Sequence, residues 1–342
     1  MVDLFSPYTL KGLQLKNRVV MPPMCQYSVT NKDGIANEWH YNHYVSRAVG
    51  GTGLIILEMT DVDPDGRITD YDLGLWSDEQ IPALKRIIDE CHAHGAKIGV
   101  QLAHAGRKAK DAAVPVAPSP IAFDTSFKIP RELSTPEVKE IVEKFGHAVR
   151  RAVEAGFDTI ELHGAHGYLI HQFHSPLTNK RMDKYGEHLT RFGVEVIQAA
   201  KSEMPADMPL IMRISAIEYV QGGYGLEQSL AFSAAYQAAG VDILHISSGG
   251  EGGFPSVGRL GEHEGYQVRL AREIKQQLHI PVIAVGRLDE PVLANEVVAN
   301  EEADLVAVGR GMLKNPYWTI GASEALGKRT AIPRQYIRAY RR

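Results

Sequence analysis

Short apolar runs alternate with amphipathic stretches along most of the chain. The runs are rich in valine, isoleucine and leucine, which is typical of parallel strands buried on both faces, and the stretches between them have helical spacing. The predicted strands cover 19–21, 53–57, 97–102, 158–162, 210–214, 243–246, 282–285 and 305–308. The predicted helices cover 40–49, 79–94, 134–155, 190–201, 226–239, 266–278, 290–300 and 320–326.

Eight strands interleaved with eight helices predict an α/β fold, a (β/α)8 TIM barrel. A doubly wound sheet shares this alternation, but eight units with polar residues after nearly every strand favour a closed barrel. A single domain over 1–342 is expected, because no linker or shift in composition interrupts the chain. Around the barrel we expect an N-terminal hairpin within 1–17, a long loop up to Leu133 after the third strand, which we interpret as a functional lid, and a C-terminal tail over 328–342.

Composition excludes several classes of protein. Of the 342 residues, 44% are hydrophobic and 23% are charged, as in ordinary globular proteins, and the net charge of −4 provides no basic surface for nucleic acid or anionic lipid. Cys25 and Cys91 are too few for a disulfide framework or a cysteine-ligated iron–sulfur cluster. No apolar run approaches the roughly 18 residues of a membrane span, so we expect a cytoplasmic protein without membrane association.

The fourth predicted strand ends in a cluster of polar aromatic residues, His163, His166 and Tyr168. In a barrel this strand end faces the active site. The imidazoles could donate hydrogen bonds to a substrate oxygen, or could bind a metal together with His171 and His174, or could be structural. Substrate binding is the favoured interpretation.

A glycine followed by an arginine ends both the seventh and the eighth predicted strands, as Gly286-Arg287 and Gly309-Arg310. Barrels commonly bind phosphate there, because glycine lets the backbone approach and arginine supplies charge, although ordinary turns have the same composition. With Gln101, Arg213 and the backbone at 23–25 facing the same rim, a flat phosphorylated heterocycle is expected, and FMN fits. Cys25 could then tune the flavin through a weak S–H contact.

Four motifs in order resemble those of the old yellow enzyme family, and in particular its thermophilic-like branch of FMN-dependent ene-reductases. They are NRVVMPPMCQY at 17–27, QLAHAGRK at 101–108, ELHGAHGYL at 161–169 and QYIRAY at 335–340. The resemblance covers nearly the whole chain. It implies a TIM barrel that uses NADPH or NADH to reduce FMN and then reduces activated alkenes, with ping-pong kinetics.

The resemblance also implies roles for individual residues. His163 and His166 would bind the substrate carbonyl beside Tyr27, and Tyr168 would donate the proton. Arg338 would reach the active site of a neighbouring subunit, which implies a homodimer or homotetramer. The implied flavin-binding residues are Pro22, Pro23, Met24, Cys25, Met59, Gln101, Arg213, Gly309 and Arg310.

Three departures from the family pattern are visible. Met59 stands where a small residue is common, Pro22 replaces a position that is often hydroxylated, and the segment 185–192 is shorter than usual.

Two other functions remain open at this point. One is a metal-dependent TIM-barrel hydrolase that uses His163, His166, His171 and His174, and the other is a flavin-binding protein with weak turnover.

Overall fold

The computed structural model describes residues 2–251 and 263–340. Its strands are β1 (Tyr8–Leu10), β2 (Leu13–Leu15), β3 (Val19–Met21), β4 (Leu54–Asp61), β5 (Leu73–Gly74), β6 (Lys97–Ala103), β7 (Val116–Ala117), β8 (Arg131–Glu132), β9 (Thr159–Gly164), β10 (Leu210–Ser215), β11 (Ile243–Ser247), β12 (Val282–Ala284) and β13 (Leu305–Ala307). Its helices are α1 (Glu38–Val49), α2 (Ile81–Ala93), α3 (Thr135–Ala155), α4 (Leu169–His174), α5 (Lys184–Glu187), α6 (Arg191–Glu203), α7 (Leu226–Ala239), α8 (Val268–Leu278), α9 (Pro291–Ala299), α10 (Arg310–Lys314) and α11 (Trp318–Ala325).

Eight parallel strands close into a barrel. Around the barrel they follow the order β3, β4, β6, β9, β10, β11, β12 and β13, and β13 pairs with β3 to complete the ring. The two-residue strand β5 extends the sheet beside the end of β4. The predicted (β/α)8 barrel is therefore confirmed.

Local sequence signals set several helix boundaries. Ser134 caps α3 in a reciprocal capping box with Glu137, and the helix ends at Gly156, whose φ of 99° lies in the left-handed region that glycine tolerates. One boundary differs clearly from the prediction. Strand β4 continues to Asp61 with all eight residues buried, because Glu58 and Asp61 face the protein interior rather than solvent.

The N-terminal end of the barrel is sealed by apolar side chains. The antiparallel hairpin β1–β2 brings Leu13 and Leu15 onto the ends of the strands. The remaining members of this cluster are Val20, Leu54, Ile56, Ile211, Ile243, Ile283, Leu305 and Ala307. The predicted hairpin therefore exists and closes this end.

The two other predicted appendages have different structures. The segment after β6 contains the short parallel pair β7–β8, and its interpretation as a lid stays a prediction. The tail from Lys328 to Tyr340 is mostly exposed and contains one turn of 3-10 helix at Ile337–Ala339. Within the described ranges, no helix has the length and hydropathy needed to cross a bilayer.

Candidate active site

A cavity of about 470 Å³ opens at the C-terminal ends of the barrel strands. Because the strands are parallel, loops that are distant in sequence meet there. Ten of the predicted site residues line the cavity: Pro22, Pro23, Met24, His166, Tyr168, Arg213, Gly286, Arg287, Gly309 and Arg310.

The turn after β9 brings three rings together. The His163 ring centroid lies 4.7 Å from that of Tyr168 and 5.2 Å from that of His166, both with edge-to-face geometry. His166 has a φ of 57°, and its backbone N–H donates to Ser215 Oγ at 3.1 Å. The neighbouring backbone is packed so closely that a Cβ at Gly250 would lie 2.1 Å from the Cα of His166.

Hydrogen bonds fix the tautomer of His163 and restrain His166. The Ala165 N–H donates to His163 Nδ1 at 3.2 Å, so the proton of the neutral ring lies on Nε2. Ser247 Oγ lies 2.6 Å from His166 Nε2. Burial, together with the charge of Arg213, lowers the pKa of both imidazoles well below 6.5, so both rings are neutral donors near neutral pH.

Tyr168 remains protonated at this position. Burial raises the pKa of its phenol well above 10, and the neighbouring Cys25 and Tyr27 act in the same direction. A phenol in this state can donate a proton but does not readily lose it to solvent. The ring also packs against an apolar cluster that contains Met59.

Lys108 joins the two sides of the rim. Its ammonium group donates to the carbonyl oxygens of His166 at 2.7 Å and Gly250 at 2.6 Å, and it lies 5.5 Å from the centre of the Tyr168 ring. Burial lowers its pKa to about 8. Lys108 lies within the QLAHAGRK motif, but its position after the strand end gave no indication of this bridging contact.

The two Gly-Arg turns form one wall of the cavity. Gly286 has a φ of 128°, Arg287 follows with a φ of 53°, and Gly309 directly precedes α10, which begins at Arg310. A Cβ at Gly309 would project toward Met24 Sδ and Pro22 Cγ at 3.5 and 3.6 Å, into the wall of the cavity. These distances are ordinary van der Waals contacts, so only Gly286, with its left-handed φ, needs glycine for its backbone conformation.

The loop after β3 carries Cys25 and Tyr27 beside the cavity. The Gln26 N–H donates to Glu58 Oε2 at 2.7 Å, and the Tyr44 hydroxyl donates to Glu58 Oε1 at 2.9 Å. Burial raises the pKa of Glu58 to about 8. Tyr27 is 47% exposed and does not line the cavity. Burial also raises the pKa of the Cys25 thiol, which therefore stays protonated.

Gln101 and Arg213 lie beneath this rim, inside the barrel. Gln101 is buried, and its Nε2 donates to Glu161 Oε1 at 2.7 Å. Arg213 is 7% exposed and pairs in register with His163 on one side and His245 on the other. Burial lowers the pKa of Arg213, and the charge of Glu161 opposes that effect.

Within this chain, neither Arg338 nor the segment 185–192 lines the cavity. Arg338 is exposed on the 3-10 turn of the tail. In the segment 185–192, Tyr185 is buried and donates to Glu195 Oε2 at 2.7 Å, which anchors α5 against α6. Among the described residues, none from 185–192 lines the cavity.

The four histidines of the metal hypothesis do not gather around one point. Of them, only His171 belongs to a group of described residues with metal-ligand spacing, and its companions are Glu218 and Glu251. The Gly167 N–H donates to His171 Nδ1 at 3.0 Å, which leaves the ring proton on Nε2, facing Glu218 Oε1 at 3.1 Å. Hydrogen bonding therefore accounts for both nitrogens of His171, and this geometry disfavours a metal ligand.

Several cavity residues were not predicted from the sequence. Tyr266 and Gln267 reach the cavity from the turn before α8, where no strand end or motif indicated them. Ser247 and Ser248 follow a predicted strand, so their polarity at that place was a usable signal. The other unpredicted lining residues are Lys108, Gly250, Val285 and Asp289.

Comparison with known proteins gives the same assignment along the whole chain. Residues 3–328 match the family model described as NADH:flavin oxidoreductase / NADH oxidase. The chain is similar to an NADPH dehydrogenase of Listeria monocytogenes, with 50% identity over 100% of both chains. An NADPH dehydrogenase of Geobacillus thermodenitrificans is 45% identical over 99% of this chain and 98% of its own.

A solved structure supports the same fold. Morphinone reductase is 28% identical and superposes with a TM-score of 0.79 over 96% of this chain and 91% of its own. These findings confirm the predicted resemblance to the old yellow enzymes, the class of NAD(P)H-dependent oxidoreductase and FMN as the cofactor. The chain belongs to the NADH:flavin oxidoreductase / NADH oxidase family.

Proposed function

We propose that this flavoprotein is an ene-reductase that reduces the C=C bond of α,β-unsaturated carbonyl compounds at the expense of NADPH or NADH. The observation that carries the proposal is the ring cluster of His163, His166 and Tyr168, which combines two neutral imidazoles with a protonated phenol. His166 and Tyr168 line the cavity, and the His163 ring packs against both of them. Such a set can polarise a carbonyl oxygen and deliver a proton nearby.

The residues around the cavity fit FMN. Pro22, Pro23, Met24 and Cys25 would contact the ring system, and the turns at 286–287 and 309–310 would hold the phosphate. Arg213 and Gln101 would meet the polar edge of the isoalloxazine. In support of this fit, Arg213 Nε is buried and has no hydrogen-bond partner among the described residues. An acceptor in the cavity would satisfy this side chain.

Met59 would adjust the contact with the flavin indirectly. It is 1% exposed and packs with alanines 103, 105, 109 and 112, while Cys25 and Tyr168 pack against the same cluster. A larger side chain here would therefore act on the positions of Cys25 and Tyr168.

The imidazoles would bind the substrate through its carbonyl oxygen. His163 would offer its Nε2 proton. With the Ser247 hydroxyl donating to His166 Nε2, the single ring proton of neutral His166 would lie on Nδ1 and could be donated to the same oxygen. Both donors would bind more tightly as the oxygen becomes enolate-like. Losing one such donor typically costs about 3–4 kcal/mol of transition-state stabilisation. Tyr27 would contact the substrate from the open side.

Tyr168 would complete the reduction as the proton donor. When bound and reduced, FMN supplies a hydride to the β-carbon of the alkene, and the Tyr168 hydroxyl would give its proton to the α-carbon. The raised pKa keeps this hydroxyl protonated until a carbanion-like carbon develops. Solvent then returns the proton to the phenolate.

We further propose that Arg338 contacts the substrate in the active site of a neighbouring subunit. Its exposure on the tail and the resemblance of the QYIRAY motif support this role. In sedimentation the protein should be at least a dimer, and Arg338→Ala should raise KM for the alkene without slowing flavin reduction. A monomer with unchanged KM would contradict the role.

Anaerobic stopped-flow measurement of the two half-reactions tests the main proposal. NADPH should bleach the bound flavin in the first half-reaction, and cyclohexenone or maleimide should restore its colour in the second. Flavin that is reduced but is not reoxidised by either alkene would contradict ene-reductase activity. That result would support the flavin-binding protein with weak turnover.

A further inference from the structure

We propose that Glu161, buried below the cavity, orients the Gln101 amide and offsets the charge of Arg213, and that it thereby sets the reduction potential of bound FMN. The inference rests on the proposed function and assigns Glu161 as a positioning residue. It does not require Glu161 to touch the cofactor.

Glu161 is the centre of a buried chain of hydrogen bonds inside the barrel. Gln101 Nε2 on β6 donates to its Oε1 at 2.7 Å, and His245 Nδ1 on β11 lies 2.7 Å from its Oε2. Glu161 and His245 are both fully buried. Arg213 lies on β10, which is the strand between those of Glu161 and His245.

The first consequence is the orientation of the Gln101 amide. A carboxylate only accepts hydrogen bonds, so the amide must turn its nitrogen toward Glu161 and its oxygen away from it. No described residue donates to Gln101 Oε1. This oxygen is therefore free to accept from an N–H group in the cavity, such as the imide N–H of an isoalloxazine.

The second consequence is electrostatic. Burial lowers the pKa of His245, so the imidazole is neutral and does not cancel the charge of Glu161. The carboxylate therefore acts on Arg213, whose pKa it raises against the effect of burial. Because both side chains are buried, this interaction between charges is screened less than it would be at the protein surface.

Together these contacts predict a direction for the reduction potential. Reduction of the flavin takes up two electrons and one proton as hydride from the nicotinamide, and it builds negative charge near Arg213. A carboxylate close by opposes that charge. Removing the carboxylate charge should favour the reduced cofactor, so Glu161→Gln should have a higher potential than the unmodified protein.

The test is an equilibrium reduction of the holoprotein against a reference dye. For Glu161→Gln we expect the ratio of reduced to oxidised flavin at a fixed solution potential to rise about tenfold or more, which corresponds to about 30 mV for a two-electron couple. Glu195→Gln is the matched control, because its carboxylate bonds Tyr185 and Arg191 on the outer helices. Its potential should not change.

Glu161→Asp provides a second variant that keeps the charge but shortens the reach to Gln101. Its potential should stay near that of the unmodified protein while its affinity for FMN falls. An unchanged potential in Glu161→Gln overturns the inference. If Glu161→Gln does not fold, Glu161→Asp decides instead, and a raised potential in that variant overturns the inference. An unmodified protein that binds no FMN contradicts the proposed function instead.

Discussion

The two ends of the barrel are built from the same strands but differ in chemistry. Along β10 the alternate positions run Ile211, Arg213, Ser215, and all three side chains are buried. The N-terminal end is filled by aliphatic side chains, whereas the C-terminal end buries ionisable groups. A buried polar group lowers the stability of the fold unless it is hydrogen-bonded. The ionisable groups at the C-terminal end should therefore stabilise the barrel less than the aliphatic side chains at the N-terminal end do.

A second strand shows the same gradient. On β11 the alternate positions are Ile243, His245 and Ser247, so polarity again increases toward the cavity. In both strands the N-terminal half, here called the packing half, carries apolar side chains. The C-terminal half, here called the chemical half, carries polar side chains near the cavity. Substitutions in the packing half should change unfolding, and substitutions in the chemical half should change catalysis.

The largest effect is expected from Tyr168→Phe at the polar end. Loss of the proposed proton donor should slow the oxidative half-reaction about 10²–10⁴-fold, with little change in flavin reduction by NADPH. Stopped-flow absorbance follows both steps. Tyr8→Phe, in the hairpin at the opposite end, is the matched control and should leave both rates unchanged. Equal slowing of both half-reactions by Tyr168→Phe would contradict the assignment.

A substitution at the apolar end should lower the free energy of unfolding and leave the rates of both half-reactions unchanged. Ile243→Ala removes a fully buried side chain, so the free energy of unfolding should fall by about 2–5 kcal/mol. Chemical denaturation of the holoprotein measures this loss, and both half-reactions should keep their rates at temperatures where the variant is folded. A large loss of kcat without a loss of stability would contradict the claim that the apolar end determines stability and the polar end determines catalysis.

In the proposed mechanism, His163→Ala removes one of the two hydrogen bonds to the developing enolate. We expect the oxidative half-reaction to slow about 10²–10³-fold, as for the loss of one oxyanion donor. The matched change His94→Ala lies between α2 and β6, at the other end of the barrel, and should have no kinetic effect. Unimpaired alkene reduction in His163→Ala would exclude the imidazole as a donor.

The smallest effect is expected from a buried acid at the polar end. Both Asp61 oxygens are buried and have no hydrogen-bond partner among the described residues, and burial raises the pKa of Asp61 well above 3.8. A raised folded-state pKa means that the stability contribution is complete below pH 3.8 and is lost as pH rises toward the folded pKa.

Asp61→Asn should therefore increase the free energy of unfolding at pH 8, and the gain should shrink as the pH falls toward 4. Urea denaturation across this pH range provides the measurement. A gain that does not depend on pH would show that ionisation of Asp61 is not its cause.

Sequence periodicity was sufficient for the barrel but not for contacts across strands. The apolar runs predicted all eight barrel strands, yet the end of β4 was missed because Glu58, Thr60 and Asp61 are polar. Polar residues within apolar strands, such as Glu161 and His245, were visible in the sequence. Their pairing depends on strand register, which a single sequence does not specify.

The sequence likewise indicated some residues of the site and not others. Residues that directly follow strands, such as His166 and Arg310, could be found because parallel strands bring their ends to one rim. Tyr266 and Gln267 reach the same rim from a turn before a helix, and no pattern in the sequence indicates this position. Lys108 acts through backbone carbonyls, which carry no sequence signal.

Binding of FMN to the apoprotein tests the central claim most directly. Replacing Arg287 and Arg310 together by glutamine should weaken FMN binding at least about tenfold, since each charge-assisted hydrogen bond contributes about 1.5–3 kcal/mol. The same double change at Arg86 and Arg150, on the outer helices, is the control and should leave the affinity unaltered. Unchanged affinity in the Arg287 and Arg310 variant would contradict a phosphate site beside the histidines.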